Sequence, residues 1–139
     1  MPAEFVDSNI LVYGYDRTAG RKFDRARALL ERLWEGDNGV LSTQVLEEFY
    51  VTITRKIPNP LQPRKARQIV SDLGVWTIVM LDVTDLIRGS EIAERYRLSF
   101  WEGLILTAAH KKEAQTVWSE DFRHGQKYGG LTVRNPFLT

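Results

Sequence analysis

Residues 3–12 read Ala-Glu-Phe-Val-Asp-Ser-Asn-Ile-Leu-Val, and this stretch decides the fold. Ala3 to Val6 has the length of a short strand, and Ile10, Leu11 and Val12 continue the apolar run past Asp7. An acid at the end of a buried strand has a bland reading as a turn or N-cap residue. The apolar flanks favour a buried carboxylate with a task.

Working outward, apolar runs alternate with helical spacing. Phe23, Ala26, Leu30, Leu33 and Trp34 recur every three or four residues and predict one buried helix face, stopped by Gly36 and Asp37-Asn38-Gly39. Val40 and Leu41 make a second strand. Ser42 or Thr43 caps a helix with Val45, Leu46, Phe49 and Ile53 inward, although Val51 to Thr54 favour strand locally. Pro58 to Pro63 is a loop, and Pro63 opens a helix carrying Ala66, Ile69, Val70 and Leu73. Val75 to Leu81 is continuously apolar and predicts a strand covered on both faces. Thr84 begins a helix to about Arg97, and Ser99 another to about Lys112. Thr116 to Trp118 and Leu131 to Val133 are the last strands. Short apolar strands separated by helices pair in parallel through right-handed crossovers. The expectation is an α/β fold, a three-layer α/β/α sandwich with a central, mainly parallel sheet.

Composition narrows the chemistry. The 139 residues form one expected domain, 1–139, large enough to bury about 70% of its unfolded surface without staples. With 43% hydrophobic residues the chain is globular. Zero cysteines rule out disulfides and thiolate metal sites. His110 and His124 are the only imidazoles, so a metal would need mainly oxygen donors. His110 suits a helix C-terminus, and His124 a surface position. No run reaches the ~18–20 apolar residues of a membrane span, and MPAEFVDSN is not a signal peptide, so no membrane contact and a cytoplasmic location are expected. The net charge of +1 argues mildly against a nucleic-acid partner until placement is considered.

Ligands in such sheets bind beyond the carboxyl ends of the strands, where the acids collect. Asp7 follows the first strand, Glu47 and Glu48 lie about one turn into the helix after the second, and Glu120 and Asp121 follow the strand ending at Trp118. Consecutive helical residues point about 100° apart, so one of Glu47 and Glu48 faces a pocket, and spacing alone does not say which. Asp82 and Asp85 suit helix caps. Glu102 stands three residues after Ser99, the spacing of a capping box, and this competes with a ligand role. Clustered carboxylates raise one another's pKa unless a cation joins them, and Mg²⁺ or Mn²⁺ matches an oxygen-only donor set. Metal-assisted phosphodiester hydrolysis is the enzymatic expectation.

FVDSNILVYGYD, STQVLEEFYVTITRK, SFWEGLILTAAH and SEDFRHGQKYGGLTVRNPF, in that order, resemble the PIN-domain ribonucleases, in particular the VapC-type toxins of bacterial toxin–antitoxin pairs. The resemblance implies a PIN-like fold and a metal-dependent endoribonuclease. It makes Asp7, Glu48, Glu102 and Asp121 the catalytic acids, with Asp7, Glu102 and Asp121 on Mg²⁺ or Mn²⁺. It selects Glu48 because the family acid precedes Phe, as in Glu48-Phe49. Ser8, Asn9, Ser119 and Glu120 would support the pocket. The family carries Asp after Phe-Trp where this chain has Glu102, which lengthens the stem by roughly 1.5 Å. The alternative reading is therefore a PIN-like RNA- or protein-binding module with impaired metal chemistry. The implied partners are RNA, a cognate antitoxin protein and a second copy in a homodimer.

Basic residues flank the expected pocket. Arg21, Lys22, Arg25, Arg55, Lys56, Arg64, Lys65 and Arg123 are candidate phosphate contacts, against a reading as solvated helix faces. Two phosphoryl-transfer classes fit worse. Haloacid-dehalogenase-type phosphatases need Asp where Asn9 stands, and receiver domains need paired early acids.

Overall fold

The computed structural model describes residues 1–138; Thr139, the last residue of the expected domain, lies outside the described residues. Six strands form one sheet: β1 (Glu4–Val6), β2 (Gly39–Ser42), β3 (Thr77–Val79), β4 (Thr116–Trp118), β5 (Lys127–Tyr128) and β6 (Leu131–Arg134), in the order β3-β2-β1-β4-β6-β5. All pairs are parallel except β5 with β6.

Six α-helices connect them: α1 (Ser8–Tyr15), α2 (Arg21–Gly36), α3 (Thr43–Arg55), α4 (Pro63–Leu73), α5 (Val83–Tyr96) and α6 (Phe100–Lys111). From β1 to β3 the chain steps one way across the sheet, and right-handed crossovers put α1 to α4 on one face. It then returns past β1 to β4, which reverses the direction and puts α5 and α6 on the other. The helices pack accordingly, α1 on α2 and α3, α3 on α4, and α5 on α6. The reversal leaves a switch point between β1 and β4, where open α/β sheets bind ligands. Phe5, Val6, Leu41, Val117 and Val133 fill the sheet, and Ile10, Leu11, Phe49 and Ile53 seal the α1–α3 side. Each contributes roughly 1.5–3 kcal/mol by leaving water.

The expected layers and most elements are present. Ser42 caps α3, its Oγ accepting from Val45 N at 3.2 Å. Gly103 faces Gly89 where α5 meets α6, and a Cβ there would strike the Gly89 carbonyl oxygen and approach Ala93 Cβ to 3.1 Å. The glycine permits the close helix contact.

The apolar run of Ile10 to Val12 past Asp7 lies in α1, because Asp7 Oδ1 accepts from Ser8 N at 2.7 Å and turns the chain into a helix. Three local expectations give way. Val75 to Leu81 yields only Thr77–Val79, an edge strand bonded to β2, with Val75 and Met80 exposed. A continuous apolar run does not by itself distinguish a buried strand from an edge. Leu29, not Trp34, completes the buried face of α2, while Trp34 leans on Trp76 with ring centroids 5.6 Å apart. Thr84 lies inside α5 rather than capping it, while Asp82 and Asp85 cap that helix as expected, in a reciprocal capping box.

Candidate active site

The register of β1 against β4 builds the site. Val6 pairs with Trp118, and Asp7 N donates to the Trp118 carbonyl at 2.9 Å. One residue further on, Asp7 lies beside Ser119, whose own N–H bonds the Arg134 carbonyl on β6 at 3.0 Å. Both side chains are buried at the switch point, with Asp7 5% exposed and Ser119 fully covered. Ser119 Oγ donates to Asp7 Oδ2 at 2.8 Å and accepts from Asp121 N at 3.1 Å. A single hydroxyl thus joins the end of β1 to the loop after β4.

Asn9 is the second joint. Its Oδ1 accepts from Glu120 N at 3.2 Å, which orients the amide. Its Nδ2 then faces three oxygens: Asp121 Oδ2 at 3.0 Å, Asp7 Oδ2 at 3.3 Å and Ser119 Oγ at 3.4 Å. Glu48 on α3 joins through Ser8, whose Oγ donates to Glu48 Oε1 at 3.3 Å. Spacing left the choice between Glu47 and Glu48 open; Glu48 makes this link, whereas Glu47 is exposed.

The electrostatics show a charge without a counterion. Burial pushes the Asp7 carboxyl up to about 6, against hydrogen bonds from Ser119 and Ser8, and the charges of Asp121 and Glu48 add to the rise. Burial likewise raises Glu48, with Asp121 and Glu47 contributing. The three ion pairs among the described residues, Lys22–Glu120, Arg32–Glu4 and Lys111–Asp85, leave Asp7, Glu48 and Asp121 without a basic partner.

Glu120 is different, because its charge is met within the fold. Tyr13 Oη donates to its Oε1 at 2.6 Å, and Lys22 Nζ lies 2.9 Å from its Oε2. Lys22 also stands over the Tyr13 and Phe137 rings, 4.8 and 5.2 Å from their centroids. Tyr13 was not singled out in the sequence, although it stands four residues after Asn9 and so on the same face of α1.

The Glu102 carboxylate is engaged elsewhere. Its Oε1 accepts from Ser99 N at 2.9 Å, while Ser99 Oγ accepts from Glu102 N at 3.1 Å, so the capping box is formed. Its charge helps raise Tyr128, after burial. His124 Nδ1 accepts from Asn135 N at 2.9 Å, a structural role. Of the basic candidates, Lys22 and Arg25 are engaged, Arg25 with the Pro136 carbonyl at 3.2 Å. Arg21, Arg55, Lys56, Arg64, Lys65 and Arg123 are exposed, and Lys56 shares a cleft with Ser8 and Glu48.

The donor set fits a hard cation that keeps part of its water. Asp7, Ser119 and Asp121 offer oxygens around one point, now faced by the Asn9 amide, and the uncompensated carboxylates favour positive charge. Among the described residues no three His, Asp or Glu side chains are arranged as a ready metal cage. Mg²⁺ is typically held by one or two carboxylates with waters completing the octahedron, so two suffice.

The PIN domain family model matches residues 5–129. The chain belongs to the PIN-domain family. Solved structures share this PIN fold over nearly its whole length. One is a toxin–antitoxin complex from Klebsiella pneumoniae (TM-score 0.71, 19% identity, covering 96% of this chain and 98% of that one). Others are VapC20 of Mycobacterium tuberculosis, a sarcin–ricin-loop-cleaving toxin (0.63, 16%, 83% and 87%), and DNA-bound VapBC from Salmonella typhimurium (0.67, 16%, 98% and 99%). At these identities the likeness is one of fold. No curated protein matches the chain in sequence.

Proposed function

We propose that this PIN protein is an endoribonuclease that hydrolyses RNA phosphodiester bonds with the aid of Mg²⁺ or Mn²⁺. The observation that carries the reading is Asp7, a buried carboxylate at the sheet's switch point, coupled to Asp121 and Glu48 and without a basic partner. Asp7 and Asp121 would hold the cation directly. Bound there, it would supply a Lewis acid that polarises the scissile phosphate and lowers the pKa of a coordinated water. Asn9 and Ser119 fix the two carboxylates relative to each other, and Ser8 fixes Glu48, which would accept a proton from a water in the pocket. Glu120 is neutralised by Lys22 and serves as a brace. Glu102 commits Oε1 to its capping box, so its contribution would run through Oε2 or through water.

Exposed Arg55, Lys56, Arg64 and Lys65 carry no ion pair among the described residues and would meet phosphates beside the pocket. The fold shared with toxin subunits supports a role as the toxin of a toxin–antitoxin pair, restrained in the cytoplasm by a cognate antitoxin. Among the described residues no helix is long and apolar enough to cross a membrane. The exposed apolar residues Val83, Leu86 and Ile87 on α5, with Phe100 and Trp101 on α6, supply surface for a homodimer or for that antitoxin.

A second reading is favoured by Glu102 itself: a binding module whose acidic pocket lacks a directly placed third carboxylate. Calorimetric titration with Mn²⁺ and an RNA-cleavage assay separate the two. The nuclease reading expects metal binding and Mg²⁺-dependent cleavage, both abolished by Asp7→Asn. RNA binding with neither metal uptake nor cleavage would establish the module instead.

A further inference from the structure

A cavity of about 420 Å³ lies at the far end of α1 from Asp7, and its walls suit a nucleobase. Tyr15 ends α1, Phe23 and Arg27 come from α2, Arg17 from the short turn between them, and Lys65 from α4. The Arg27 guanidinium lies over the Tyr15 ring, 4.5 Å from its centroid, and 5.7 Å from that of Phe23. Arg17 also lies over the Phe23 ring, 6.0 Å from its centroid. Planar aromatic and guanidinium surfaces of this kind stack bases.

The charge of the cavity is also unspent. Arg17, Arg27 and Lys65 form no ion pair among the described residues, although two acids share the walls. Asp16 Oδ1 is taken by Thr18, accepting from its N at 3.0 Å and its Oγ1 at 2.6 Å. Asp72 Oδ1 accepts from Gln68 at 3.0 Å. Arg27 is held against Tyr15, which leaves Arg17 and Lys65 as the cations facing a phosphate.

Position ties the cavity to the candidate active site. A smaller cleft of about 300 Å³, lined by Ser8, Asn9 and Tyr13, shares Asp16 and Ile57 with it. The span between them is α1 itself, eight residues or about 12 Å. A strand entering at Asn9 would thus reach the cavity within a few backbone units.

We propose that this cavity is a base-binding subsite for single-stranded RNA, holding one unstacked nucleobase near the bond to be cut. The proposal rests on the nuclease reading above and deepens it by assigning one base of the substrate a place on this chain. A base in a paired helix is stacked on both faces and would not enter, so the subsite selects loops and unpaired ends.

The test uses the full-length Asp7→Asn protein, which leaves RNA uncut, and fluorescence anisotropy with a labelled single-stranded RNA. One abasic residue is walked along that RNA. At one position its introduction weakens binding about tenfold, the order of one stacked base. Phe23→Ala weakens binding of the intact RNA by a similar factor and loses nothing further on that abasic RNA. Arg17→Ala and Lys65→Ala, at exposed positions that leave the fold intact, each weaken binding in part. The proposal is overturned if these variants bind like their Asp7→Asn parent, if the abasic and Phe23→Ala losses multiply, or if polyglutamate competes as well as single-stranded RNA. A native-sequence protein that neither binds nor cuts RNA removes the nuclease reading and this one together. One that cuts RNA while the cavity variants stay silent removes only the subsite.

Discussion

The ends of β1 and β3 follow the same local grammar and come to opposite uses. Each short strand runs into an aspartate that caps the next helix, Asp7 for α1 and Asp82 for α5. Asp82 is exposed, and its capping box with Asp85 uses its carboxylate for helix stability, while Asp85 bonds Lys111. Asp7 caps with one oxygen only. Its other oxygen faces Ser119 and Asn9 in a buried setting that costs stability. The difference lies in the sheet: β3 is an edge, whereas β1 is central and borders the switch point. An acid is free for chemistry where the fold buries it without a partner.

The comparison is broken most severely at Asp7. Asp7→Asn is expected to lower Mg²⁺-dependent RNA cleavage by about 10²–10³-fold or more, the scale of removing one charged stabiliser of a transition state. The same change should stabilise the fold, because it removes a buried charge. A rise from 3.8 to about 6 corresponds to roughly 3 kcal/mol at most. Denaturant melts that show Asp7→Asn less stable at neutral pH would break this account. Asp82→Ala should do the reverse, costing about 1 kcal/mol of stability with cleavage unchanged.

The next effect is on pH. The folded pKa of Asp7 is raised, so its penalty is absent below about 3.8 and fully present above about 6. Its contribution to stability therefore falls as pH rises through that window, and Asp7→Asn should flatten this part of the profile. Mg²⁺ or Mn²⁺ competes with the proton. Either cation should raise the melting temperature at pH 7 and lose that effect as pH drops below about 6, read by thermal denaturation with chelator as control.

Smaller effects test the packing and the fourth acid. Gly103→Ala should destabilise by about 1–3 kcal/mol, since the added methyl meets the Gly89 carbonyl and the helices must part. Glu102→Gln should lower cleavage at least about tenfold less than Asp7→Asn, because Glu102 commits one oxygen to Ser99 and, unlike Asp7, makes no hydrogen bond to Asn9 or Ser119 among the described residues. Equal losses at the two positions would place Glu102 directly on the cation.

Much of this was legible in the chain, and the gaps have physical causes. Strand and helix alternation forecast the layers, and the apolar flanks of Asp7 forecast its burial. The capping box at Ser99 and Glu102 was visible as a spacing, but spacing does not tell whether a carboxylate caps or turns to a pocket. The helical course of Ile10 to Val12 was hidden because Ile and Val favour strands locally, while the deciding bond is Asp7 to Ser8 N. Tyr13 and its bond to Glu120 join residues 107 apart in sequence, a pairing only the β1–β4 register creates. The near-neutral charge hid an acidic pocket beside exposed basic side chains such as Lys56, since a sum carries no placement.

The central claim is that Asp7 and Asp121 hold a divalent cation at the switch point. A crystal soaked in Mn²⁺ tests it most directly through anomalous scattering. The account predicts a single strong peak in ligating contact with both carboxylates, next to Asn9. No peak there, or one bound only by surface acids such as Asp82 and Asp85, would contradict it.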